Sequence, residues 1–415
     1  MITFGHFLLI AGENKMKILV LNCGSSSIKY QFIDTSEKLA LAKGLVERIG
    51  MSSAILSHKR YDGDEIKVVG EILDHNIAIE YVLGVMLSKN HGVIEDKKDI
   101  EAVGHRVVHG GETFSDSVFI TDEVIRVLQD NIELAPLHNP PNIKGILAVK
   151  RTLPGTPQCG VFDTAFHSGM PPKAYLYGIP YELYKKYKIR RYGFHGTSHF
   201  FVSKQAAEIL GRDLSEIKII TAHLGNGCSM AAVKNGVSVD TSMGFTPLEG
   251  LLMGTRSGDV DPSLILYIMG KEGLSLNEAG TLLNKHSGLI GISGESSDMR
   301  EILSAKGEQK RAKQAFELFC YRIKKYLGAY TAAMGGLDAF VFTGGIGENS
   351  YEVREEVCKD LLFLGIELDN VRNKNKENLI STDSSRVKVL RIPTNEELVI
   401  ALDTAKIVEE KMAKA

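Results

Sequence analysis

The sequence lacks an excess of either charge, and it lacks long apolar runs. Its 415 residues carry 49 Lys and Arg against 51 Asp and Glu, which gives a formal net charge of −2 at pH 7. No basic field is therefore available for a nucleic-acid backbone, and we expect no nucleic-acid partner. No run of about 18 apolar residues occurs, so we expect neither a transmembrane helix nor a membrane partner.

Cysteine is scarce and scattered. The chain has 5 cysteines, at positions 23, 159, 228, 320 and 358, and none forms a Cys-x-x-Cys pair. This usage is typical of the reducing cytoplasm, where we expect the protein to be located. Residues 1–15 contain a short apolar run without the basic segment of a signal peptide, so we interpret them as an N-terminal extension outside the fold.

Several familiar catalytic motifs are missing as well. The only Gly-Lys pair, at 270–271, is followed by Glu272, so there is no Walker A loop. A Gly-x-Ser-x-Gly elbow is absent, which gives a serine hydrolase little support. Two histidine pairs have a spacing of four residues, at 195/199 and 105/109, but the first lacks the Glu of His-Glu-x-x-His and the second lies in a predicted strand. We therefore expect no zinc site.

The pattern that is present alternates short β-rich runs with longer helical ones, which is typical of an α/β protein. The length and an apolar content of 44% predict two or three closely joined domains, each with its own core. The clearest helix is predicted over residues 311–335, where apolar residues recur at the spacing of one buried face. The predicted strands span residues 18–21, 30–33, 102–108, 160–162, 217–222, 339–343 and 387–391.

Two segments resemble each other. KILVLNCGSSSIKYQF begins at Lys17 and KIITAHLGNGCSMAAV begins at Lys218, and both consist of a strand, a turn rich in Gly, Ser and Asn, and a second strand. This internal repeat predicts a duplicated fold with one such turn in each half.

Glycine is the residue in excess, with 41 in the chain. The first glycine turn, Asn22–Lys29, also holds three serines and a lysine, whose N–H, hydroxyl and ammonium groups can converge on a phosphate. Asn22 offers an amide oxygen to a hard cation at the strand end. The alternative is a solvated hairpin turn, because turns of this composition are common.

Two further glycine clusters repeat this chemistry. The second turn spans His223–Ser229, and the third cluster, Gly344–Asn349, follows the strand AFVFT and precedes a helix. Asn349 and Glu352 have the spacing of a capping box, which predicts a loop followed by a helix N-terminus. The cluster does not match a dinucleotide fingerprint, because Ser350 occupies the third glycine position. Three such clusters together predict a polyphosphate site.

Two arginines and an aspartate are candidates for the reaction centre. Arg106 lies at the end of a predicted strand, in the glycine-containing segment GHRVVHGG, and Arg256 lies in the polar loop MGTRSGDVDP. Neither arginine is on a charged helix face. A solvated arginine is the default interpretation, yet this context favours contact with a bound anion. Asp163 follows the apolar run at 160–162 and therefore lies at a strand end, where the alternative role is a helix cap.

The C-terminal region contains a candidate metal ligand. Thr394 and Glu397 have capping-box spacing ahead of an apolar helix. Glu397 would then bind the helix backbone and leave Glu396 free for Mg²⁺, which usually takes one or two protein ligands plus phosphate oxygens. Two solvated acids at a helix N-terminus are an equally good alternative from this segment alone.

Eight segments together resemble the acetate kinase family in order and spacing: LVLNCGSSSIKY, GHRVVHGG, FDTAFH, YGFHGTSH, AHLGNGCS, MGTRSGDVDP, FTGGIGENS and PTNEE. The resemblance covers about residue 16 to the C-terminus, with Cys23 and Cys228 as small departures. It implies the fold of the sugar kinase, heat-shock and actin superfamily, with two duplicated actin-like (ribonuclease H-like) α/β domains around a nucleotide cleft. The first domain would comprise residues 16–164 plus 395–415, and the second, with most of the nucleotide site, residues 165–394.

The resemblance also implies a reversible, Mg²⁺-dependent phosphoryl transfer between ATP and acetate that gives acetyl phosphate and ADP. Mn²⁺ is expected as a substitute metal and a homodimer as the assembly. The implied catalytic residues are Arg106, Asp163, His195 and Arg256. The implied acetate pocket consists of Arg106, Val108, Leu137, Phe194 and Pro247, and the implied metal ligands are Asn22 and Glu396. The implied ATP-binding residues are Lys29, His223, Leu224, Gly225, Asn226, Gly227, Asp298, Met299, Arg300, Gly345, Ile346, Gly347, Glu348 and Asn349.

The chemistry can be argued beside this resemblance. Acetate is ionised at pH 7 and needs no general base, so catalysis must come from in-line positioning and from neutralising the phosphoryl oxygens. Arg106, Arg256 and His195 suit that role, whereas Asp163 would orient an arginine or a metal-bound water. Val108, two residues beyond Arg106 and expected on the same strand face, would set the preference for acetate.

Two alternatives remain open at this point. A propionate or butyrate kinase would share the family's motifs and differ only in its acid pocket. A non-catalytic nucleotide switch on the same fold would not need the set of Arg106, Asp163, His195 and Arg256.

Overall fold

Residues 15–414 are described by the computed structural model, and they form a mixed α/β protein, as predicted. The strands are β1 (Lys17–Cys23), β2 (Ser27–Asp34), β3 (Leu39–Glu47), β4 (Ala54–Arg60), β5 (Glu65–Gly70), β6 (Ala102–Val107), β7 (Val118–Phe119), β8 (Gln158–Phe162), β9 (Lys218–Leu224), β10 (Cys228–Lys234), β11 (Val237–Thr241), β12 (Ala339–Thr343) and β13 (Lys388–Arg391). The predicted N-terminal extension lies outside the described residues, apart from Lys15.

Fifteen α-helices accompany these strands within residues 15–414, and none of them is long and apolar enough to cross a membrane. The helices are α1 (His75–Met86), α2 (Asp122–Asp130), α3 (Asn139–Thr152), α4 (Pro172–Tyr175), α5 (Tyr181–Tyr187), α6 (Gly196–Leu210), α7 (Pro262–Glu272), α8 (Leu276–Lys285), α9 (Gly288–Ser293), α10 (Met299–Ala305), α11 (Lys310–Met334), α12 (Gly344–Asn349), α13 (Tyr351–Cys358), α14 (Asn370–Lys374) and α15 (Glu396–Met412).

The described chain divides into two compact units. The first unit comprises residues up to Ala165 together with those from Asn395 onward, and the second comprises Phe166–Thr394. The first unit contains a sheet with the strand order β5-β4-β3-β2-β1-β6-β8-β7. The sheet of the second unit has the order β11-β10-β9-β12-β13.

Five strands of each sheet share one connectivity. In the first unit, β3, β2 and β1 are antiparallel neighbours, and β1, β6 and β8 are parallel neighbours. In the second unit, β11, β10 and β9 are antiparallel, and β9, β12 and β13 are parallel. The two repeated glycine turns join β1 to β2 and β9 to β10, which are equivalent positions. The duplicated fold predicted from the sequence is therefore confirmed.

Two of the parallel strands, one in each sheet, are enclosed along their whole length. All residues of β8 and β12 are buried. This is typical of parallel strands, because helices cover both faces of such a sheet. In the first unit, one face packs against α1 and α3 through Val82 and Val149, and the other packs against α15 through Ile400 and Val408.

Helix α15 brings the last described segment back to the first unit. Ile400 and Val408 lie on its buried face, and the helix contacts β1, β6 and β8. Gly104 of β6 allows this approach, because a Cβ there would lie 2.6 Å from Thr404 Oγ1. The packing places the first turn of α15, with Glu396, near the end of β6.

The predicted elements agree with the structure to within three residues at each end. The predicted helix at 311–335 is α11, Lys310–Met334, and Gly335 ends it with φ 69°. The sequence analysis missed β3, β4, β5, β7 and β11. Strand β5 shows why, since it lies at the sheet edge and its residues alternate between exposed and half-buried, which removes the apolar signal.

Candidate active site

Arg106 and Asp163 form a bidentate ion pair at the ends of two neighbouring strands. β6 and β8 run parallel, and Arg106 pairs in register with Val161, so Asp163 follows immediately beyond the end of β8. Arg106 Nε donates to Asp163 Oδ1 at 2.8 Å, and Nη2 donates to Oδ2 at 2.7 Å. Asp163 is 2% exposed, and the pairing avoids the large cost of burying either charge alone. The structure thus brings together two of the predicted catalytic residues.

The carboxylate of Glu396 lies beside the same guanidinium, with Oε2 3.8 Å from Arg106 Nη2. This Oε2 is buried and has no hydrogen-bond partner among residues 15–414. Burial raises the pKa of Glu396, and the charge of Arg106 only partly opposes the rise. Burial alone would lower the pKa of Arg106, but the carboxylates of Asp163 and Glu396 outweigh it and raise the pKa. A buried carboxylate oxygen without a donor suits a bound cation.

The first turn of α15 differs from the sequence expectation. Its N-cap is Asn395, whose side chain accepts a hydrogen bond from Leu398 N at 3.1 Å. The predicted capping box of Thr394 and Glu397 is therefore wrong. Glu397 forms an ion pair with Lys29 instead of binding the helix backbone. The spacing of Thr394 and Glu397 gave a wrong prediction because an asparagine one residue after Thr394 caps the helix equally well.

A buried asparagine that the sequence analysis missed holds the backbone near Arg106. Asn142 Nδ2 donates to Cys23 O at 2.9 Å, and its Oδ1 accepts from Val108 N at 3.1 Å. Strand β6 ends at Val107, so the expectation that Arg106 and Val108 share a strand face is wrong. The signal for Asn142 was its position among the apolar residues of the α3 segment, where a polar side chain needs a partner.

Three other predicted residues of the first unit are less enclosed. Asn22 is half-buried at the end of β1 and pairs in register with Lys29, whose side chain is 54% exposed. Leu137, expected in the acetate pocket, is 69% exposed. Within residues 15–414 no three His, Cys, Asp or Glu side chains form a group that could hold a metal. A Mg²⁺ site on Asn22 and Glu396 would therefore need phosphate oxygens and water to complete it, which is the usual pattern for this ion.

In the second unit, His195 occupies a strained position ahead of α6. It is the N-cap of the helix and has a left-handed φ of 56°, which costs a non-glycine residue about 1–2 kcal/mol. Gly193 precedes it with φ 77°, and a Cβ there would lie 2.3 Å from Thr241 Cγ2. Strained turns of this kind cluster at functional sites, and this one orients the His195 ring.

Two buried serines hold the imidazole rings of this region. His195 Nδ1 lies 2.9 Å from Ser229 Oγ, and His223 Nδ1 lies 2.8 Å from Ser198 Oγ. The rings of His195 and His223 stack, with centroids 4.3 Å apart. The sequence analysis did not select either serine, although both lie inside the motifs that carry the two histidines.

Gly227 of the second glycine turn lies against two predicted catalytic residues. A Cβ at Gly227 would be 3.4 Å from His195 Cε1 and 3.6 Å from Arg256 Nη1. Arg256 Nη1 donates to Pro247 O at 3.0 Å, and no carboxylate within the described residues pairs with this arginine. Burial lowers the pKa of Arg256. Arg256 is half-buried, and a partly desolvated cation that lacks a carboxylate partner is suited to an anionic ligand.

The third glycine cluster differs from the prediction in its conformation. It forms α12, which begins directly after β12 with Thr343 as its N-cap, so the expected loop is absent. Glu348 Oε1 accepts hydrogen bonds from Gly344 N at 3.0 Å and from Thr394 N at 3.1 Å. In this arrangement the Glu348 carboxylate links the start of α12 to the segment after β13.

The helix that follows also begins at another residue than predicted. Ser350 is the N-cap of α13, and its side chain accepts from Val353 N, so the predicted capping box of Asn349 and Glu352 is wrong. Arg354, which the sequence analysis missed, is fully buried and donates to a backbone carbonyl of α12 at 2.8 Å.

The remaining predicted nucleotide and pocket residues vary in exposure. Asp298 caps α10 by accepting from Arg300 N at 2.8 Å, and the Arg300 side chain is 89% exposed. Leu224 is fully buried, whereas Asn226 is exposed. Phe194 is buried, and its carbonyl accepts from His167 Nε2 at 3.1 Å.

Comparison with known proteins identifies relatives over nearly the whole chain. A family model described as the Acetokinase family matches residues 17–402. An acetate kinase of Thermoanaerobacter pseudethanolicus is 58% identical over 398 residues, which cover 95% of this chain and 99% of that protein. An acetate kinase structure from Porphyromonas gingivalis has a TM-score of 0.91 at 50% identity and covers 95% of this chain and 100% of that one. A propionate kinase structure from Francisella tularensis has a TM-score of 0.88 at 44% identity, with coverage of 94% and 98%.

Proposed function

This chain belongs to the acetokinase family, and from that membership we propose that it is an acetate kinase, a phosphotransferase with a carboxyl group as acceptor. The reaction is the reversible transfer of the γ-phosphoryl group of ATP to acetate, which gives acetyl phosphate and ADP. The observation that carries the proposal is Arg256, a half-buried cation without a carboxylate partner among the described residues, beside His195 and the glycine turn at Gly227.

The reaction needs charge neutralisation more than proton transfer. The acetate carboxylate is already ionised at pH 7 and attacks without a general base. Catalysis then requires that the negative charge on the oxygens of the transferred phosphoryl group is neutralised. Preorganised hydrogen-bond donors and cations are the most effective groups for this. Asp163 accepts both hydrogen bonds of Arg106, which supports a role in orienting that arginine rather than in abstracting a proton.

Each predicted residue then has a task that its surroundings support. Arg106, held by Asp163, would bind the acetate carboxylate or the phosphoryl oxygens, and Arg256 and His195 would neutralise the phosphoryl oxygens. The presence of Arg106, Asp163, His195 and Arg256 argues against a non-catalytic nucleotide switch, because a switch would not need these residues. For the nucleotide we propose the residues in and around the glycine segments, namely Lys29, His223, Leu224, Gly225, Asn226, Gly227, Asp298, Met299, Arg300, Gly345, Ile346, Gly347, Glu348 and Asn349.

Mg²⁺ is the metal we propose, with Mn²⁺ as a substitute. The buried Oε2 of Glu396, which lacks a hydrogen-bond donor, fits a cation, and Asn22 offers a neutral amide oxygen. Both are hard oxygen ligands of the kind that Mg²⁺ takes together with phosphate oxygens and water. When bound, the ion would supply charge neutralisation on the phosphates of the nucleotide. Glu396 and Asn22 would hold it, and Arg106 would keep the Glu396 carboxylate in place.

A propionate kinase is the second candidate, because a relative of that description is 44% identical to this chain. Within the family the two differ in the acid pocket, for which we propose Val108, Leu137, Phe194 and Pro247 together with Arg106. An apolar pocket discriminates one methylene by only about 1–3 kcal/mol, so some turnover of the longer acid is expected in either case.

We propose a homodimer that associates through helix α7. The helix is largely apolar, yet none of its residues is buried, and Leu264, Leu266 and Tyr267 are 44%, 72% and 63% exposed. Several exposed large apolar side chains on one helix favour an interaction surface. We also place the protein in the cytoplasm, which is supported by five buried cysteines without a disulfide.

The substrate assignment is tested by steady-state turnover of ATP with acetate, propionate and butyrate side by side. We expect kcat/KM for acetate to exceed that for propionate by about 10–200-fold, the range that one methylene allows. Val108→Ala should narrow this ratio by lowering KM for propionate while leaving kcat for acetate largely intact. A wild type that prefers butyrate contradicts the acetate assignment. If the ratio of kcat/KM for acetate and propionate is unchanged in Val108→Ala, Val108 does not line the acid pocket.

The role of Arg256 is tested by Arg256→Ala. We expect kcat to fall by roughly 10²–10³, as the loss of one preorganised charge donor usually causes, with a much smaller change in ATP affinity. Arg372→Ala, which removes an arginine paired with Asp383 on the surface, is the matched control and should leave kcat unchanged. Near-normal kcat in Arg256→Ala would show that this cation does not act on the phosphoryl group.

The metal assignment is tested with Glu396→Gln and Glu397→Gln. Glu396→Gln should raise the Mg²⁺ concentration needed for half-maximal activity at least tenfold, because it removes the ionised ligand. Binding of Mn²⁺, followed by electron paramagnetic resonance, should weaken in parallel without any need for turnover. Glu397→Gln is the control, since it removes a neighbouring carboxylate that is paired with Lys29 and keeps Glu396 in place. Weakened Mn²⁺ binding in the Glu397 variant alone would reverse the assignment.

The dimer is tested by sedimentation velocity of the full-length chain. The wild type should sediment as a dimer, and Leu266→Lys should shift it toward the monomer by placing a charge in the proposed interface. Leu362→Lys is the control, because Leu362 is also 72% exposed but lies outside α7. A monomeric wild type, or equal effects of both substitutions, would refute this surface.

A further inference from the structure

A chain of buried side chains ends at His195. His199 is fully buried, with Nδ1 2.7 Å from Thr221 Oγ1 and Nε2 2.7 Å from Ser229 Oγ. Ser229 Oγ in turn lies 2.9 Å from His195 Nδ1. Thr221 lies on β9, Ser229 on β10 and His199 on α6, so three elements of the second unit fix the chain.

The direction of the hydrogen bonds in this chain is not arbitrary. Ser229 has one hydroxyl hydrogen and two imidazole nitrogens within reach, so it donates to one ring and accepts from the other. Burial, together with the nearby rings of His167 and His223, holds the pKa of His199 well below its usual value. His199 is therefore neutral at pH 7 and carries a single N–H. Two directions remain, one with the His199 hydrogen on Nε2 and one with it on Nδ1.

Thr221 decides between these two directions. It is fully buried, and among residues 15–414 its hydroxyl has one hydrogen-bond partner, His199 Nδ1. If Nδ1 carried the hydrogen, the Thr221 hydroxyl would accept it and its own hydrogen would stay buried without an acceptor. If Thr221 donates instead, every hydrogen in the chain is used. Thr221 then donates to Nδ1 of His199, and the His199 Nε2–H donates to Ser229.

We propose that Thr221, His199 and Ser229 are positioning residues that hold neutral His195 as the tautomer with its hydrogen on Nε2. Ser229 donates its hydroxyl hydrogen to His195 Nδ1, so a neutral His195 ring can carry hydrogen only on the opposite nitrogen. His195 Nε2 lies 3.6 Å from the position of a Cβ on Gly227, and Arg256 Nη1 lies at the same distance from that point. His195 Nε2 and the guanidinium of Arg256 thus flank the same glycine turn.

The tautomer assignment gives His195 and Arg256 different roles in catalysis. These roles rest on the proposed phosphoryl transfer. His195 donates a hydrogen bond to a phosphoryl oxygen without being protonated to imidazolium, while Arg256 supplies the positive charge. The ring of His223 stacks on His195, with the centroids 4.3 Å apart. Because Ser229 donates to His195 Nδ1 in this assignment, a hydrogen on that nitrogen would break the hydrogen bond.

The tautomers are read directly by long-range ¹H–¹⁵N NMR on the full-length enzyme labelled with ¹⁵N-histidine, at a pH of about 8. We expect the nitrogen shifts of His195 and His199 to show hydrogen on Nε2 in both rings, with the resonances assigned from His195→Gln and His199→Gln. Hydrogen on Nδ1 of either ring overturns the proposal. The measurement needs no turnover, so it stands or falls independently of the substrate assignment.

Variants of Thr221 test whether the hydrogen-bonded series from Thr221 to His195 affects catalysis. Thr221→Val keeps the shape and removes the donor, so the Nε2–H population of His195 should fall and kcat should drop about tenfold with KM for ATP within twofold. Thr221→Ser should restore both. Thr241→Val is the matched control, because the buried Thr241 hydroxyl donates to the Met230 carbonyl rather than to a histidine. Wild-type tautomers and kcat in Thr221→Val would overturn the positioning role.

Discussion

The parallel register of β6 and β8 is the constraint on which the chemistry of the first unit depends. Because Arg106 and Val161 are register partners, the guanidinium reaches the carboxylate of Asp163 just beyond the strand end. A slip of one residue would turn Arg106 to the opposite face of the sheet and leave two buried charges unpaired. The apolar residues on both faces of the strands fix this register. The packing of the core therefore also determines the geometry of the ion pair between Arg106 and Asp163.

The two candidate arginines, one in each unit, are compensated in opposite ways. Arg106 has Asp163 and Glu396 beside it, so its charge is balanced within the protein. Arg256 is half-buried with only backbone and sulfur contacts, so no carboxylate of the described residues balances its charge. The first arrangement favours a fixed geometry, and the second favours ligand binding at the expense of stability in the unliganded protein.

The sequence predicted strands β1, β6, β8, β9 and β12, helix α11 and the duplication, because short apolar runs, a helical periodicity and a 16-residue repeat are clear signals. It failed at the helix caps, where Asn395 and Ser350 replace Thr394 and Asn349, because several polar residues near a helix start can satisfy the same N–H groups. It also missed the buried partners of the histidines. A single residue such as Thr221 shows its burial in the pattern of its strand, but not the ring that it contacts.

The first unit cannot complete its fold until helix α15, which is synthesised last, is available. The ribosome completes the strands β1, β6 and β8 early, but the helix that covers one face of their sheet follows only after Phe166–Thr394. Until then that face, including Ile18 and Val20, lacks its cover, and the carboxylate of Glu396 does not yet exist beside Arg106. A nascent or truncated chain that ends before α15 therefore lacks Glu396 and leaves an apolar face of the sheet uncovered, which favours aggregation.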